Sequence, residues 1–231
     1  MPLIEFENVG VTFDTSTGQR TVLQDINLSL DERRIGIIGA NGSGKSTLVR
    51  LINGLAEPTS GHVRVAGLDV AKSGRQVRRK VGFVFSDADN QIIMPTVAED
   101  VAFSLRATSM NSQERKERAA AMLRTMGLEH LAESSPHFLS GGEKQLLALA
   151  AVLVMEPELV IADEPTTLLD LGNRRMITQT LAELPQQLIV VSHDLELLEG
   201  MDRVLWIADG EVLGDGAPAR VIADYVASYG G

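Results

Sequence analysis

The chain of 231 residues predicts an α/β fold, in which a mainly parallel sheet is covered by helices and interrupted by an all-helical insert. Three observations predict this fold. Short apolar runs that are typical of buried strands recur along the chain. Segments with apolar residues every three or four positions alternate with those runs, and this alternation favours parallel strands. Between residues 87 and 157 only the helical pattern continues, which indicates a separate helical subdomain.

The N-terminal third is predicted to consist mostly of strands. Alternating apolar and polar residues, or a short apolar run, predict strands at residues 3–9, 26–30, 34–38, 63–65 and 80–85. Turn residues at 15–18 and 58–61 separate some of these strands. The strand at 34–38 leads into a glycine-rich loop and then into a predicted helix at 46–53.

The rest of the chain first becomes helical and then alternates. Apolar residues at helical spacing predict helices in the insert at residues 97–106, 113–126 and 143–155. Asn111 or Ser112 is suited to cap the middle helix. After the insert, strands and helices are predicted in turn at residues 159–162, 172–184, 188–191, 194–200 and 204–207.

Charge and composition exclude several classes of protein. The chain has 21 basic and 31 acidic residues, and the net charge of −10 argues against nonspecific nucleic-acid binding. The absence of cysteine excludes disulfides, zinc–thiolate sites and iron–sulfur clusters. The longest apolar run, at 146–155, is too short to cross a bilayer. Glu5 and Glu7 stand where a signal peptide would carry basic residues.

A phosphate-binding loop is predicted between the strand at 34–38 and the helix that follows it. The pattern GxxxxGK[ST] is formed by Gly39, Ala40, Asn41, Gly42, Ser43, Gly44, Lys45, Ser46 and Thr47. Glycines let backbone N–H groups turn toward phosphate oxygens, and the helix N-terminus adds partial positive charge. We therefore expect ATP here, with Lys45 at its β- and γ-phosphates and Ser46 as a ligand of Mg²⁺. The strand–loop–helix context disfavours the alternative, a glycine-rich turn with a chance lysine.

An acidic pair follows the apolar strand at 159–162. In P-loop enzymes a carboxylate at this place holds Mg²⁺, so Asp163 is expected to be a metal ligand. Glu164 is then placed to orient or deprotonate the attacking water. Two adjacent carboxylates at a strand end are usually just solvated, and it is the phosphate loop upstream that favours the catalytic interpretation.

The segment after residue 138 narrows the family. Leu139, Ser140, Gly141, Gly142 and Glu143 resemble the LSGGQ signature of the ABC ATPases, and a long predicted helix follows. The same residues are also typical of a capping box, with Ser140 at the N-cap and Glu143 three residues later, and the two interpretations are compatible. The order of motifs, from phosphate loop to signature to acidic strand end to histidine, also resembles that family over residues 6–221.

This resemblance implies a P-loop NTPase fold of ABC type, with a mixed sheet core, an antiparallel β subdomain and an inserted α-helical subdomain. The chain would form a single ABC ATPase domain over 1–231, with the core and β subdomain at 1–86 and 158–231 and the helical subdomain at 87–157. By the same resemblance, Phe13 would stack on adenine, although a single phenylalanine is more often a core residue.

The resemblance also assigns roles to two later segments. Leu168, Leu169 and Asp170 would form the D-loop that crosses a dimer interface. His193 would donate a hydrogen bond to the γ-phosphate and sense its loss, although an isolated histidine at a strand end usually has no such role.

Residues 81–103 resemble a narrower group, the energy-coupling-factor (ECF) ATPases, which power the uptake of vitamins and transition metals. The pattern in that group is VFQNPDDQ followed by PTVxEDVAF, and this sequence aligns with it without a gap. Residues 89–91 would then belong to a short helix that contacts the membrane scaffold, whereas the plainer interpretation is a generic helical hairpin. The end of the chain soon after Pro218 favours the biotin-type module, because some metal-uptake relatives carry a longer tail.

Ser86 departs from that pattern. The glutamine expected in VFQ normally helps to hold Mg²⁺ and links the site to the transmembrane partner. Serine is shorter and would ligate the metal only directly or through a water, so we expect slower hydrolysis or an altered link. Glu143, Leu146 and Ala162 are smaller departures.

The resemblance further implies a motor that works only as a pair, because the signature of one subunit closes on the ATP held by another. The second subunit would be a copy of this chain or a paralogous ATPase. The pair would bind ATP and Mg²⁺ at the cytoplasmic face of the cell membrane as a peripheral protein. Its membrane partners would be a T-type scaffold protein and a substrate-capture protein, with no nucleic acid.

Three other functions compete with this hypothesis. A conventional ABC importer or exporter would carry the same motifs on a different scaffold. A nucleotide-gated interaction module that barely hydrolyses ATP is suggested by Ser86 and opposed by Glu164 and His193. A DNA-repair or translation ATPase is opposed by the acidic charge and the single cassette.

Overall fold

The structure, a computed structural model, describes residues 1–16, 18–167 and 169–229. It divides into two compact units. The first unit contains Met1–Val81, Glu158–Asp163 and Pro185–Gly231, and the second contains Gly82–Pro157 and Glu164–Leu184. Among the described residues, no helix is both long and apolar enough to cross a membrane.

An antiparallel sheet forms one part of the first unit. Its strands are β1 (Ile4–Thr15), β2 (Gly18–Leu30), β4 (Ser60–Val65) and β5 (Leu68–Asp69). They lie in the order β2-β1-β4-β5, and each neighbouring pair is antiparallel. Ile4 and Phe6 are buried, whereas Glu5 between them and Glu7 after them are not, as alternation along a half-buried strand requires.

A mixed sheet forms the other part of the first unit. Its strands are β3 (Arg34–Ile38), β7 (Leu159–Asp163), β8 (Gln187–Val191), β9 (Arg203–Ala208) and β10 (Glu211–Gly216). They lie in the order β10-β9-β3-β8-β7, with parallel pairs throughout except for the antiparallel pair β9–β10. The strands β7 and β8 are buried at every residue, which explains their continuous apolar runs. The sixth strand of this sheet, β6 (Val81–Val84), begins in the first unit.

The helices of the first unit are α1 (Lys45–Ile52), α2 (Val70–Lys80), α7 (Leu195–Glu199) and α8 (Pro218–Ala227). Neither α2 nor α8 was predicted, and β5 and β10 were missed too. In α2 only Val70 and Val77 are buried, so its sequence offers too few apolar residues to predict a helix from their spacing. Because Lys80 ends α2, the strand predicted from residue 80 begins at Val81.

The second unit is mainly helical. Its helices are α3 (Val97–Ser104), α4 (Ser112–Thr125), α5 (Gly141–Leu153) and α6 (Leu171–Glu183). A short 3-10 turn at Ala88–Asn90 occupies the place of the predicted short helix. Of the two candidate caps for α4, Asn111 is the one: its side chain accepts the N–H groups of Gln113 and Glu114 at 2.9 and 3.0 Å.

The helix α6 belongs to the second unit because it packs against α5. A Cβ added at Gly142 would lie 2.2 Å from Oδ1 of Asn173, so the close approach of the two helices requires glycine there. The helical segment expected at 87–157 therefore shares its unit with residues 82–86 and 164–184. Together, the mixed sheet, the antiparallel sheet and the helical subdomain are the fold class that the sequence predicted.

Candidate nucleotide-binding site

The predicted phosphate loop connects β3 to α1 in the first unit. Gly39, Gly42 and Gly44 have φ angles of 155°, 80° and 108°, a region that favours glycine. A Cβ at Gly39 would also lie 2.0 Å from the carbonyl oxygen of Ile207 in the neighbouring strand. The glycines of the motif are therefore required by backbone conformation and by close approach, as expected for a loop that wraps an anion.

Lys45 places a positive charge inside this loop. Its side chain is buried, and Nζ donates hydrogen bonds to the carbonyl oxygens of Gly39 and Ala40 at 2.8 and 2.9 Å. Nε2 of His193 lies 3.5 Å from Nζ and 3.0 Å from Oδ1 of Asn41. The structure thus brings His193, from the segment after β8, to the phosphate loop, where the sequence predicted that it would sense a γ-phosphate.

Ser46 and Asp163 meet beside the loop, as predicted. The Ser46 hydroxyl donates to Oδ1 of Asp163 at 3.0 Å, and Nη2 of Arg50 lies 3.7 Å from Oδ2. Burial raises the pKa of Asp163 above its usual value, while the Ser46 hydrogen bond and the charges of Arg50 and Lys45 act in the opposite direction. Sequence reasoning missed Arg50, which follows Ser46 by one turn of α1.

The residues of the loop fit a magnesium–nucleotide phosphate. The Ser43 hydroxyl is buried and has no hydrogen-bond partner among the described residues, although buried polar atoms nearly always have one. A phosphate oxygen in the loop would supply that partner. Ser46 and Asp163 offer the oxygen ligands that Mg²⁺ prefers, with phosphate oxygens and water to complete the shell. In the described part of the chain, no cluster of three or more His, Cys, Asp or Glu side chains could hold a metal.

Glu164 begins the second unit with an unusual backbone. Its φ angle of 52° is in the left-handed region, which costs a non-glycine residue about 1 kcal/mol or more. The Thr167 N–H donates to the Glu164 carbonyl at 3.2 Å, and the Thr167 hydroxyl lies 3.4 Å from Oε2. Asn8, Asp25, Ala66, Glu156 and Asp209 have similar φ angles, so this conformation does not by itself mark a catalytic residue, and the role of Glu164 stays a prediction.

The signature segment of the second unit forms the predicted capping box. The Ser140 hydroxyl accepts the N–H of Glu143 at 3.3 Å, and Oε2 of Glu143 accepts the Ser140 N–H and hydroxyl at 2.7 Å each. Two hydrogen bonds from Ser140 lower the pKa of Glu143. The bond from the hydroxyl has the larger effect, and the bond from the N–H has the smaller one. The box fixes the first turn of α5, where Gly141 and Gly142 present backbone without side chains.

The remaining predicted residues lie as follows. Phe13 is on β1 and is 49% exposed, so the alternative that it is a core residue is wrong. Asp170 caps α6 by accepting the N–H of Asn173 at 2.9 Å. Leu169 is half-buried, and Leu168, the first residue of the predicted D-loop, lies outside the described residues. Ser86 is exposed in the second unit, and its role as a metal ligand stays a prediction.

Two glutamines that sequence reasoning missed hold the segment of Ser86. The Phe85 N–H donates to Oε1 of Gln91 at 3.2 Å, and Nε2 of Gln145 donates to the Phe85 carbonyl at 3.2 Å. Gln145 is buried in α5. Lys144, also in α5, forms an ion pair with Asp89 at 2.7 Å. The one signal in the sequence was Gln145 itself, a polar residue among the apolar residues of a long helix.

Comparisons with known proteins match this fold and these motifs. The profile of the ABC transporter family matches residues 23–167. The biotin transport ATP-binding protein BioM of Rhizobium etli is 45% identical over 222 residues, which are 96% of this chain and 97% of BioM. CbiO1 from Clostridium perfringens, part of the ABC transporter complex CbiONQ, has a TM-score of 0.82 at 32% identity, covering 96% of this chain and 91% of CbiO1. The ATP-binding cassette MJ0796, a dimer in a post-hydrolysis state bound to ADP and Pi, has a TM-score of 0.83 at 30% identity, covering 93% of this chain and 98% of MJ0796.

Proposed function

This chain belongs to the ABC transporter family and is an ATPase of that family, and from this premise we propose that it is the motor subunit of an ECF-type importer. The observation that carries the proposal is the phosphate loop of the first unit. In that loop the Lys45 ammonium, the Ser46–Asp163 pair and a buried Ser43 hydroxyl without a partner among the described residues surround a glycine cradle.

The residues of the site divide the work of hydrolysis. Lys45 binds the β- and γ-phosphates, and the backbone N–H groups of the loop donate hydrogen bonds to the phosphate oxygens. Ser46 and Asp163 hold Mg²⁺, which neutralises phosphate charge when bound, and we propose Ser86 as a further ligand. Glu164 orients the attacking water and takes its proton. These steps need positioning and electrostatics more than covalent chemistry.

Loss of the γ-phosphate would be sensed by His193. We propose that His193 donates a hydrogen bond to the γ-phosphate, since its ring already reaches Asn41 and Lys45. Phe13 is proposed to stack on adenine, because its aromatic ring on β1 is exposed and does not pack in the core. Hydrolysis then removes the contact of His193 and releases the closed state.

A second subunit is proposed to complete the site. The signature residues 140–143 would contact the ATP of a partner, to which Ser140 and Gly142 would donate hydrogen bonds. The partner is a second copy of this chain or a paralogous ATPase. The dimeric state of MJ0796 supports this arrangement. The partners in the membrane are proposed to be a T-type scaffold and a substrate-capture protein, and a peripheral position at the cytoplasmic face of the membrane follows from them.

The transported solute is proposed to be a micronutrient, with biotin favoured over cobalt or nickel. The similarity to BioM supports biotin, and the similarity to CbiO1, part of a CbiONQ complex, supports the wider group. The segment at 81–103, which aligns with the ECF pattern, supports a scaffold of that type over the scaffold of a conventional ABC transporter.

The test is phosphate release by the purified chain together with its co-purified membrane proteins. We expect Mg²⁺-dependent hydrolysis that falls by about 100-fold or more in Glu164→Gln and in Lys45→Ala. Hydrolysis that does not depend on Lys45 would contradict the motor function. Nucleotide binding with wild-type hydrolysis no faster than that of Glu164→Gln would favour a nucleotide-gated module instead. A co-purified scaffold that lacks a separate substrate-capture protein would indicate a conventional transporter.

A further inference from the structure

Arg20 lies beside the phosphate loop and has no ion-pair or hydrogen-bond partner among the described residues. Its side chain is exposed on β2, and its guanidinium makes no hydrogen bond or ion pair with any residue in the described ranges 1–16, 18–167 and 169–229. The chain has 31 acidic residues against 21 basic ones, so carboxylates are plentiful. An arginine that pairs with none of them calls for an explanation at this place in the fold.

The hairpin of β1 and β2 places Arg20 next to Phe13. The two residues are direct partners in the antiparallel ladder, so their side chains lie on the same face of the hairpin. The register at this end is held by Gln19, whose side chain donates to Asp14 at 3.2 Å, and by the Thr15 hydroxyl, which donates to the Gly18 carbonyl at 2.6 Å. An exposed aromatic residue and an exposed arginine are therefore neighbours on one face of the hairpin.

The guanidinium also reaches the phosphate loop. A Cβ built at Gly42 would lie 3.8 Å from Nη2 of Arg20. That is ordinary contact distance, so the side chain of Arg20 borders the loop at the glycine that has a φ angle of 80°. Lys45 is held by carbonyl oxygens on the inner side of the same loop. The loop thus has one cation inside and a second at its rim.

From this placement we infer that Arg20 binds the phosphate chain of the nucleotide, as a binding residue in addition to the predicted phosphate-loop motif. The inference rests on the proposed function, because it takes the ligand to be a nucleoside triphosphate. Arginine suits this task, since its planar guanidinium binds phosphate oxygens with two parallel N–H donors. Phe13 on the same face would contact the base, so one hairpin would hold both ends of the nucleotide.

The phosphate chain is a better partner than the base for two reasons. Nη2 of Arg20 is near Gly42, a residue of the phosphate loop, whereas a contact with the base would come from the exposed ring of Phe13. Magnesium-bound ATP keeps a net negative charge, and a second cation at the rim of the loop lowers the cost of concentrating that charge. An uncharged ligand such as adenosine would gain nothing from it.

The experiment measures equilibrium binding of ATP, ADP and adenosine by displacement of a fluorescent nucleotide, in the presence of Mg²⁺. We expect Arg20→Ala to weaken the binding of ATP and ADP by about tenfold, and Arg20→Lys to weaken it by about threefold. The affinity for adenosine should stay unchanged. Arg79→Ala is the matched control, because Arg79 is another exposed arginine of the first unit, on α2, and should bind every ligand as the wild type does.

The outcomes separate this inference from the proposed function. If the wild type binds Mg-ATP and Arg20→Ala binds it equally well, Arg20 does not contact phosphate. If Arg20→Ala loses adenosine and ATP to the same degree, Arg20 acts on the base through Phe13, and the inference is also wrong. If the wild type itself retains no nucleotide, the proposed function fails with it. Arg20→Gln, which keeps a long stem, repeats the test if Arg20→Ala lowers the melting temperature.

Discussion

At the scale of single residues, Asp163 is a predicted site residue whose burial lowers the stability of the folded protein. Its side chain is 3% exposed, and its pKa is raised because burial disfavours the charged carboxylate. Ser46, Arg50 and Lys45 surround it with donors and positive charge, and they offset only part of that cost. A buried carboxylate beside a serine hydroxyl is suited to a divalent cation, which would offset the cost of its desolvation.

Asp163→Asn should therefore stabilise the protein without nucleotide and abolish its response to Mg-ATP. The folded state holds the Asp163 proton more tightly than the unfolded state does. The free energy of unfolding of the wild type thus falls as the pH rises from about 3.9, the unfolded pKa, through the raised folded pKa. We expect the variant to gain about 1 kcal/mol at neutral pH, and the gain to fade as the pH falls through that range.

Urea unfolding at several pH values measures this difference, and the shift in melting temperature with Mg-ATP measures binding. Asp224→Asn, at an exposed residue of α8, is the control and should change neither quantity. A variant that is less stable than the wild type at neutral pH would show that the ionised Asp163 contributes favourably to the fold.

Ser86 is a second residue whose predicted role a single substitution can test. It stands where ECF ATPases have glutamine, in a segment whose backbone is already held by two other glutamines. Ser86→Gln restores a side chain long enough to reach a metal. We expect the hydrolysis rate in the assembled complex to change by about threefold or more, because a longer ligand alters the coordination of Mg²⁺. An identical rate would show that Ser86 is not part of the metal site.

At the scale of elements, the segment 85–91 is bonded to α5, the helix that begins at the signature. Gln91 accepts the N–H of Phe85 and Gln145 donates to the Phe85 carbonyl, and the Gln91 side chain also donates to the Ala148 carbonyl at 3.3 Å. Hydrogen bonds of this kind are costly to break, because a buried polar group that loses its partner has no water to replace it. The segment of Ser86 and the signature helix should therefore move as one element of the second unit.

Gln145→Leu should separate them. The Phe85 carbonyl would lose its partner, and we expect a loss of about 1–3 kcal/mol in the free energy of unfolding. Hydrogen exchange of the amides at 85–91 should become faster, and kcat should fall more than the affinity for ATP, because the phosphate loop is untouched. Gln179→Leu removes an exposed glutamine hydrogen bond to Glu183 in the same unit and should leave all three measurements unchanged. Slow exchange in Gln145→Leu would contradict the link.

At the scale of the whole molecule, the predicted site residues are distributed over both units of the chain. The phosphate loop, Asp163 and His193 belong to the first unit, whereas Glu164, Ser86 and the signature belong to the second. Asp163 and Glu164 are neighbours in sequence, and the division of the chain into two units falls between them.

A dimer should form only when hydrolysis is blocked and ATP is present. Glu164→Gln with Mg-ATP is expected to run at twice the monomer mass in light scattering, and to return to the monomer with ADP, because the γ-phosphate supplies the contacts of closure. Adding Ser140→Ala should prevent the dimer, at a cost of about 1 kcal/mol to the cap of α5. Dimers that form equally with ADP would show that the interface does not depend on the signature and the nucleotide.

The sequence by itself determined the elements whose signals are local. The phosphate loop follows from its glycines and from Lys45, and the capping box follows from Ser140 and Glu143 at their spacing. In each case the residues that bond together lie within a few positions of one another, so a short pattern contains the whole interaction. The alternation of strands and helices predicted the fold class for the same reason.

Only the tertiary structure decided the contacts between distant residues. Gln145 meets Phe85 across 60 positions, His193 meets Asn41 across 152, and Arg20 borders Gly42 by way of a hairpin. The helix α2 was missed because only two of its residues, Val70 and Val77, are buried, which is too sparse an apolar pattern to recognise in the sequence. Such contacts depend on how the elements pack, because partners far apart in sequence are brought together by the fold and not by their spacing in the sequence.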